Sequence, residues 1–124
     1  MAKVIGFGGV FFKSRDPSAL RAWYARHLGI EVADFGAMFA EDESRPGCTL
    51  WAPFAEDTDY FGAGGREFML DFRVDDLDAL LANLRAAGVA VDPNVQQDEN
   101  GRFGWITDPE GTRIELWQPP APGR

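Results

Sequence analysis

The chain has 124 residues, enough for one domain with its own core. Its 45% hydrophobic and 26% charged content is that of a globular protein rather than a disordered one. No apolar run approaches the roughly 18 residues of a membrane span, and a net charge of −8 argues against nucleic acid or anionic membranes as partners. The single cysteine, Cys48, allows no intrachain disulfide, and Met1–Val4 leads straight into strand-like sequence with no signal-peptide pattern, which points to the cytoplasm.

In chain order, residues 4–14 are apolar and β-rich and read as a strand. Asp16-Pro17 then supplies an N-cap and a proline at the first helical position. Leu20, Trp23, Tyr24 and Leu28 recur at helical spacing, and Gly29 suits the helix end. Short strands are expected at 30–33, 37–40 and 49–52, and residues 54–67, with their aspartates and glycines, read as a connecting loop. A second cycle follows. Residues 68–74 read as a strand, and Asp75-Asp76 caps a helix with an apolar face of Leu77, Leu80, Leu81 and Leu84, ended by Gly88. Strands are expected at 89–91, 103–107 and 112–117. The last two are joined by a turn at Asp108-Pro109-Glu110-Gly111.

The two cycles superpose. Phe12–Leu20 matches Phe72–Leu80, Leu28–Val32 matches Ala87–Val91, and Thr49–Pro53 matches Glu115–Pro119, in the same order. This predicts an α+β fold of two tandem β-α-β-β-β modules, each a curved sheet with its helix on one face. The pair of sheets encloses a cup where a ligand would sit. Module one covers about residues 4–54, a linker about 55–66 and module two about 67–119, all within a single domain.

Strand alternation sorts the side chains. Val10 and Phe12 are assigned to the helix side and Gly9, Phe11 and Lys13 to the cup. In the twin strand Leu70, Phe72 and Val74 go to the helix side, and Met69, Asp71 and Arg73 to the cup. Leu50 and Leu116 lie under the helices, while Thr49, Trp51, Glu115 and Trp117 face the cup, joined by Trp105.

The run Arg-Asp-Pro-x-x-Leu-x-x-Trp-Tyr from Arg15, with Leu28-Gly29, resembles the first helix of the glyoxalase, bleomycin-resistance and extradiol-dioxygenase proteins, the vicinal oxygen chelate superfamily. Phe72-Arg-Val-Asp-Asp-Leu-Asp and Asp108-Pro-Glu-Gly-Thr-Arg-Ile-Glu-Leu are similar to its second strand–helix start and final hairpin. The resemblance spans nearly the whole chain and implies the fold more strongly than any one reaction. In metal-dependent members it implies four converging ligands, which fall here on Gly9, Thr49, Met69 and Glu115. Only Glu115 is a strong ligand type, so no metal or other cofactor is expected.

Glu115 therefore carries the chemistry. A carboxylate among Trp51, Trp105, Trp117 and Met69 would be desolvated, as a proton-abstracting group requires. It would serve as an acceptor or a base, or pair with Arg73 or Lys13. His27, the sole histidine, suits the last turn of the first helix. The segment Asp57–Gly62 is aromatic for a linker and would fold over the cup or meet another subunit. With Trp23, Tyr60 and Phe61 left exposed, a homodimer is expected. The leading reading is a bleomycin-resistance-like protein that binds a small cationic or aromatic molecule in the cup without a metal. The alternative is a lactoylglutathione-lyase-like or isomerase-like enzyme that uses Glu115 as ligand or base.

Overall fold

Asp16 opens the first helix as its sequence demands. Its side chain accepts a hydrogen bond from the Ala19 N–H at 3.1 Å, Pro17 takes the first turn, and Gly29 closes the helix at φ 67°. The protein is described from a computed structural model over residues 10, 14–37, 39, 55 and 57–120. Helix α1 is Pro17–Leu28. It is followed by β1 (Leu70–Arg73), α2 (Leu77–Ala86), β2 (Ala90–Val91), β3 (Gln96–Asp98), β4 (Gly101–Thr107) and β5 (Arg113–Gln118). The expected strands at 4–14, 37–40 and 49–52 fall wholly or largely outside the described residues.

The sheet runs β1-β5-β4, with β2 and β3 both on the far edge of β4. Strands β1 and β5 are parallel, and the other pairs are antiparallel. Thus β2 and β3 form one edge interrupted at Pro93, a residue that has no N–H for the ladder. The architecture is α+β; the described residues form a five-stranded sheet with two helices.

One face of the sheet is the core. Helix α2 lays Leu77, Leu81 and Leu84 on Ile106, Ile114 and Leu116, and Leu20 and Tyr24 of α1 join the same cluster. The helix approaches so closely that a Cβ on Gly104 would meet Leu81 Cδ1 at 3.0 Å. The start of α2 is tied to the last strand, because Gln118 Oε1 accepts the Leu77 N–H at 2.8 Å.

The 108–111 turn forms as expected. Gly111 N–H bonds Asp108 O at 3.1 Å, and Asp108 Oδ1 accepts from the backbone of Glu110 and Thr112. This turn also anchors α1. Tyr24 donates to Asp108 Oδ2 at 2.8 Å, and the Glu110 carboxylate accepts from Ser14 Oγ at 2.6 Å and from the backbone N–H of Arg15 at 2.8 Å. Arg66 reaches the same turn through the Glu110 carbonyl.

Three local expectations are corrected. Residues 30–33 form no strand; only a single bridge pairs Ala33 with Gly36 around a tight turn. Among the described residues no strand pairs with this run, and an isolated strand has nothing to ladder with. Strand β3 was not expected, since Gln96–Asp98 is polar and exposed throughout. Trp23, Tyr60 and Phe61 are half-buried rather than exposed. Trp23 packs against the core cluster with its ring 5.2 Å from Tyr24 and 5.0 Å from His27 in the last turn of α1.

Candidate ligand-binding site

The face of the sheet opposite α2 is a grid set by strand register. Phe103, Trp117 and Arg73 make one row, and Trp105, Glu115 and Asp71 make the next. Thr107 and Arg113 begin a third. Cross-strand neighbours on one face lie within contact distance, so each row is a physical cluster. In the first row Phe103 and Trp117 have parallel rings with centroids 6.2 Å apart, and Trp117 Nε1 donates to Asn100 O at 2.8 Å.

The middle row is the chemical centre. Glu115 is only 6% exposed. Its Oε2 accepts from Trp105 Nε1 at 3.0 Å and also from the Tyr60 hydroxyl. Tyr60 comes from the 57–62 segment and stands edge-on to Trp105, with ring centroids 6.0 Å apart at 87°. Burial raises its phenol pKa above the ordinary value, and the Glu115 carboxylate adds to the effect.

Asp71 lies directly beside Glu115 on the parallel strand. Desolvation within this row, then its hydrogen bond with Glu115 and the repulsion of a second negative charge, push its carboxyl up to about 8, against a smaller lowering by Arg73. The residue as a whole is exposed, so solvent on its open side screens part of this.

Arg113 flanks the row. Its guanidinium lies 5.3 Å from the Trp105 ring centroid and pairs with Asp92 at 3.4 Å. Beside it is a shallow groove of about 280 Å³ lined by Ala90, Val91, Asp92, Pro93, Trp105, Thr107 and Arg113. A second hollow of about 340 Å³ at Ser14, Arg15, Arg66 and Glu110 surrounds the network that anchors α1.

Of the residues expected in the cup, Asp71, Arg73, Trp105, Glu115 and Trp117 share this face. Met69 is half-buried just before β1. Phe11, Lys13, Thr49 and Trp51 lie outside the described residues, as do Gly9 and Cys48. The ion pair between Glu115 and Arg73 that the sequence left open is not formed; Glu115 is held by neutral donors instead. Sequence reasoning missed two contributors. Phe103 and Arg113 have the same strand parity as Trp105 and Glu115, and alternation applied one step further would have found them. Tyr60 lies on the segment expected to fold over the cup or meet another subunit, and it reaches Glu115; that this residue makes the contact is not marked by any periodicity.

These residues do not suit a divalent metal. Met69 offers a soft thioether, and the Glu115 carboxylate oxygen is already committed to an indole N–H and a phenol. Among the described residues no group of three histidine, cysteine, aspartate or glutamate side chains converges.

The model of the glyoxalase-like domain family matches residues 9–117. The chain belongs to that family. This is the vicinal oxygen chelate superfamily, and solved structures carry the same fold. A glyoxylase/bleomycin resistance protein/dioxygenase domain from Frankia sp. EAN1pec is similar with a TM-score of 0.57 and 20% identity, over 98% of this chain and 96% of that one. TnmS3, an antibiotic binding protein from Streptomyces sp. CB03234, is similar with a TM-score of 0.51 and 23% identity, over 85% of this chain and 88% of that one. TioX from Micromonospora sp. ML1 gives 0.51 and 18%, over 90% and 94%. No curated protein matches the sequence. Among the described residues, no helix is long and apolar enough to cross a membrane.

Proposed function

We propose that this protein binds a small aromatic or cationic molecule on the face around Glu115, without a divalent metal, in the manner of a bleomycin-resistance protein. The observation that carries the reading is the middle row of the grid: the buried Glu115 carboxylate, with Asp71 beside it, flanked by indole and phenol rings. Aromatic walls supply contact area at low entropic cost, and the acidic pair supplies polarity that orients a bound molecule. The likeness in fold to an antibiotic binding protein supports the same reading. Module one, about residues 4–54, would supply the second wall of the cup through Phe11, Lys13, Thr49 and Trp51.

A thermal-shift screen of small aromatics, cationic antibiotics and thiol conjugates tests it. A hit should lose its stabilising shift on Trp105→Ala or Glu115→Gln; hits unaffected by both changes would refute the site.

The second reading is a lyase- or isomerase-like enzyme, and the Asp71–Glu115 pair favours it, since two adjacent carboxyls, with that of Asp71 raised by burial and by its neighbour, suit acid–base chemistry. In it Glu115 abstracts the proton. Stoichiometric nickel, zinc or iron in the purified protein, lost on Glu115→Gln, would turn the assignment toward this enzyme and against metal-free binding.

A cytoplasmic homodimer completes the proposal. Phe35 and Phe39, 77% and 65% exposed, are apolar surface that a second subunit would cover. Light scattering that gives a monomer at micromolar concentration would refute the dimer.

A further inference from the structure

We infer that the ligand's anchoring group is a phenol, a hydroxyl on an aromatic ring, and that Tyr60 occupies its place in the free protein; this rests on the binding function proposed above and narrows its ligand class. Glu115 is an acceptor, so its complement must donate. Its carboxylate is oriented from the sheet by Trp105 Nε1 at 3.0 Å, and the donor that meets it from above is the hydroxyl of Tyr60. The Tyr60 ring then lies edge-on to Trp105 at 87°, the arrangement an aromatic guest would adopt there. The site is thus already filled by the chemistry it selects.

The way Tyr60 is mounted supports a replaceable occupant. It lies in the turn closed by Gly62 N–H to Asp59 O at 3.0 Å, just after one closed by Thr58 N–H to Ala55 O at 3.0 Å, and its own N–H bonds Thr58 Oγ1. The segment pairs with no described strand, so the ring can swing away without breaking a sheet ladder. At Glu115 a guest phenol exchanges one hydroxyl–carboxylate bond for another, and it must also offset the other contacts of the Tyr60 side chain. Its net gain therefore comes from further contact with Trp105 and with the Phe103–Trp117 row, while the tethered ring competes at a high effective concentration.

Calorimetric titration with 2-naphthol and with 2-methoxynaphthalene, which keeps the rings but cannot donate, tests this on the full chain. Removing the competitor in Tyr60→Ala should tighten 2-naphthol by about tenfold or more, and 2-methoxynaphthalene by only about threefold or less. Tyr60→Phe, which keeps the ring and its packing, should give the same preference at smaller size and covers the case in which the alanine variant does not fold. Adding Glu115→Ala to either, which removes the acceptor altogether, should abolish the preference for the hydroxyl. If both compounds bind but gain equally, or neither gains, the phenol assignment is overturned and the binding function stands. If neither compound binds any variant, both are overturned.

Discussion

Asp71 and Glu115 stand side by side on parallel strands, and burial with the neighbouring Glu115 pushes the Asp71 carboxyl up to about 8. The pairing sets how stability depends on pH. In the unfolded chain Asp71 releases its proton near the ordinary 3.8, whereas in the folded protein it holds it up to about 8. Between those values the native state binds more protons. Stability therefore falls as pH rises through that window and levels off above it. Asp71→Asn removes the titration. It should raise the melting temperature at pH 8.5 by about 3 °C, the shift that roughly 1 kcal/mol gives a domain of this size, and change it little at pH 5. Equal shifts at both pH values would show that Asp71 does not titrate in this way.

Glu115 should respond very differently to two substitutions. Glu115→Ala leaves the buried Trp105 N–H and the Tyr60 hydroxyl without their acceptor, at a loss of about 1–3 kcal/mol in urea unfolding. Glu115→Gln keeps a carbonyl in place and should lose less than about 1 kcal/mol. Similar losses for the two would mean that the donors find other partners.

Tyr24→Phe tests the link from α1 to the final hairpin. It removes the 2.8 Å bond to the buried Asp108 carboxylate, and a hydrogen bond to a charged group is worth about 1.5–3 kcal/mol. The loss should appear as a lower urea midpoint with an unchanged slope.

Glu110 adds a second pH signature of opposite sign. Its hydrogen bond from Ser14, then that from the Arg15 backbone, hold its carboxyl below the usual range against slight desolvation. A lowered folded value stabilises above the unfolded value of 4.5 and is lost as pH falls through the folded one. Glu110→Gln should thus melt below the wild type at pH 7, with the gap closing below pH 4. A gap that persists in acid would assign the effect to shape rather than charge.

Gly104→Ala probes the helix–sheet approach. The new methyl would press on Leu81 Cδ1 at 3.0 Å and Leu77 Cδ1 at 3.4 Å, and overpacking of this kind costs about 1–3 kcal/mol. A neutral result in thermal unfolding would show that α2 can shift outward freely.

What the sequence made legible was the part governed by period and punctuation. Asp16-Pro17 and Gly29 bound α1, Asp76 caps α2, and the 3.6-residue spacing of Leu77, Leu81 and Leu84 names its buried face. Alternation put Asp71, Glu115 and Trp117 on one side because both faces of these strands are filled by contrasting residues. The failures were of other kinds. Strand β3 is polar on both sides and forms only because the turn at Glu99-Asn100 folds it back on β4, so no apolar pattern marks it; Asn100-Gly101 was the available signal. Residues 30–33 had the apolar pattern but pair with no strand among the described residues. Tyr60 docks on Glu115 across 55 positions from within a turn, a tertiary choice that local spacing does not encode.

The anchors of α1 also set an order of events during synthesis. The side-chain hydrogen bonds that fix its start and middle reach 84 to 96 residues ahead, to Asp108 and Glu110. A ribosome thus releases α1 long before the turn that receives it exists, and closing so long a loop is slow. The nascent helix must wait with its polar anchors unmet, and a chain halted before residue 108 would leave it so.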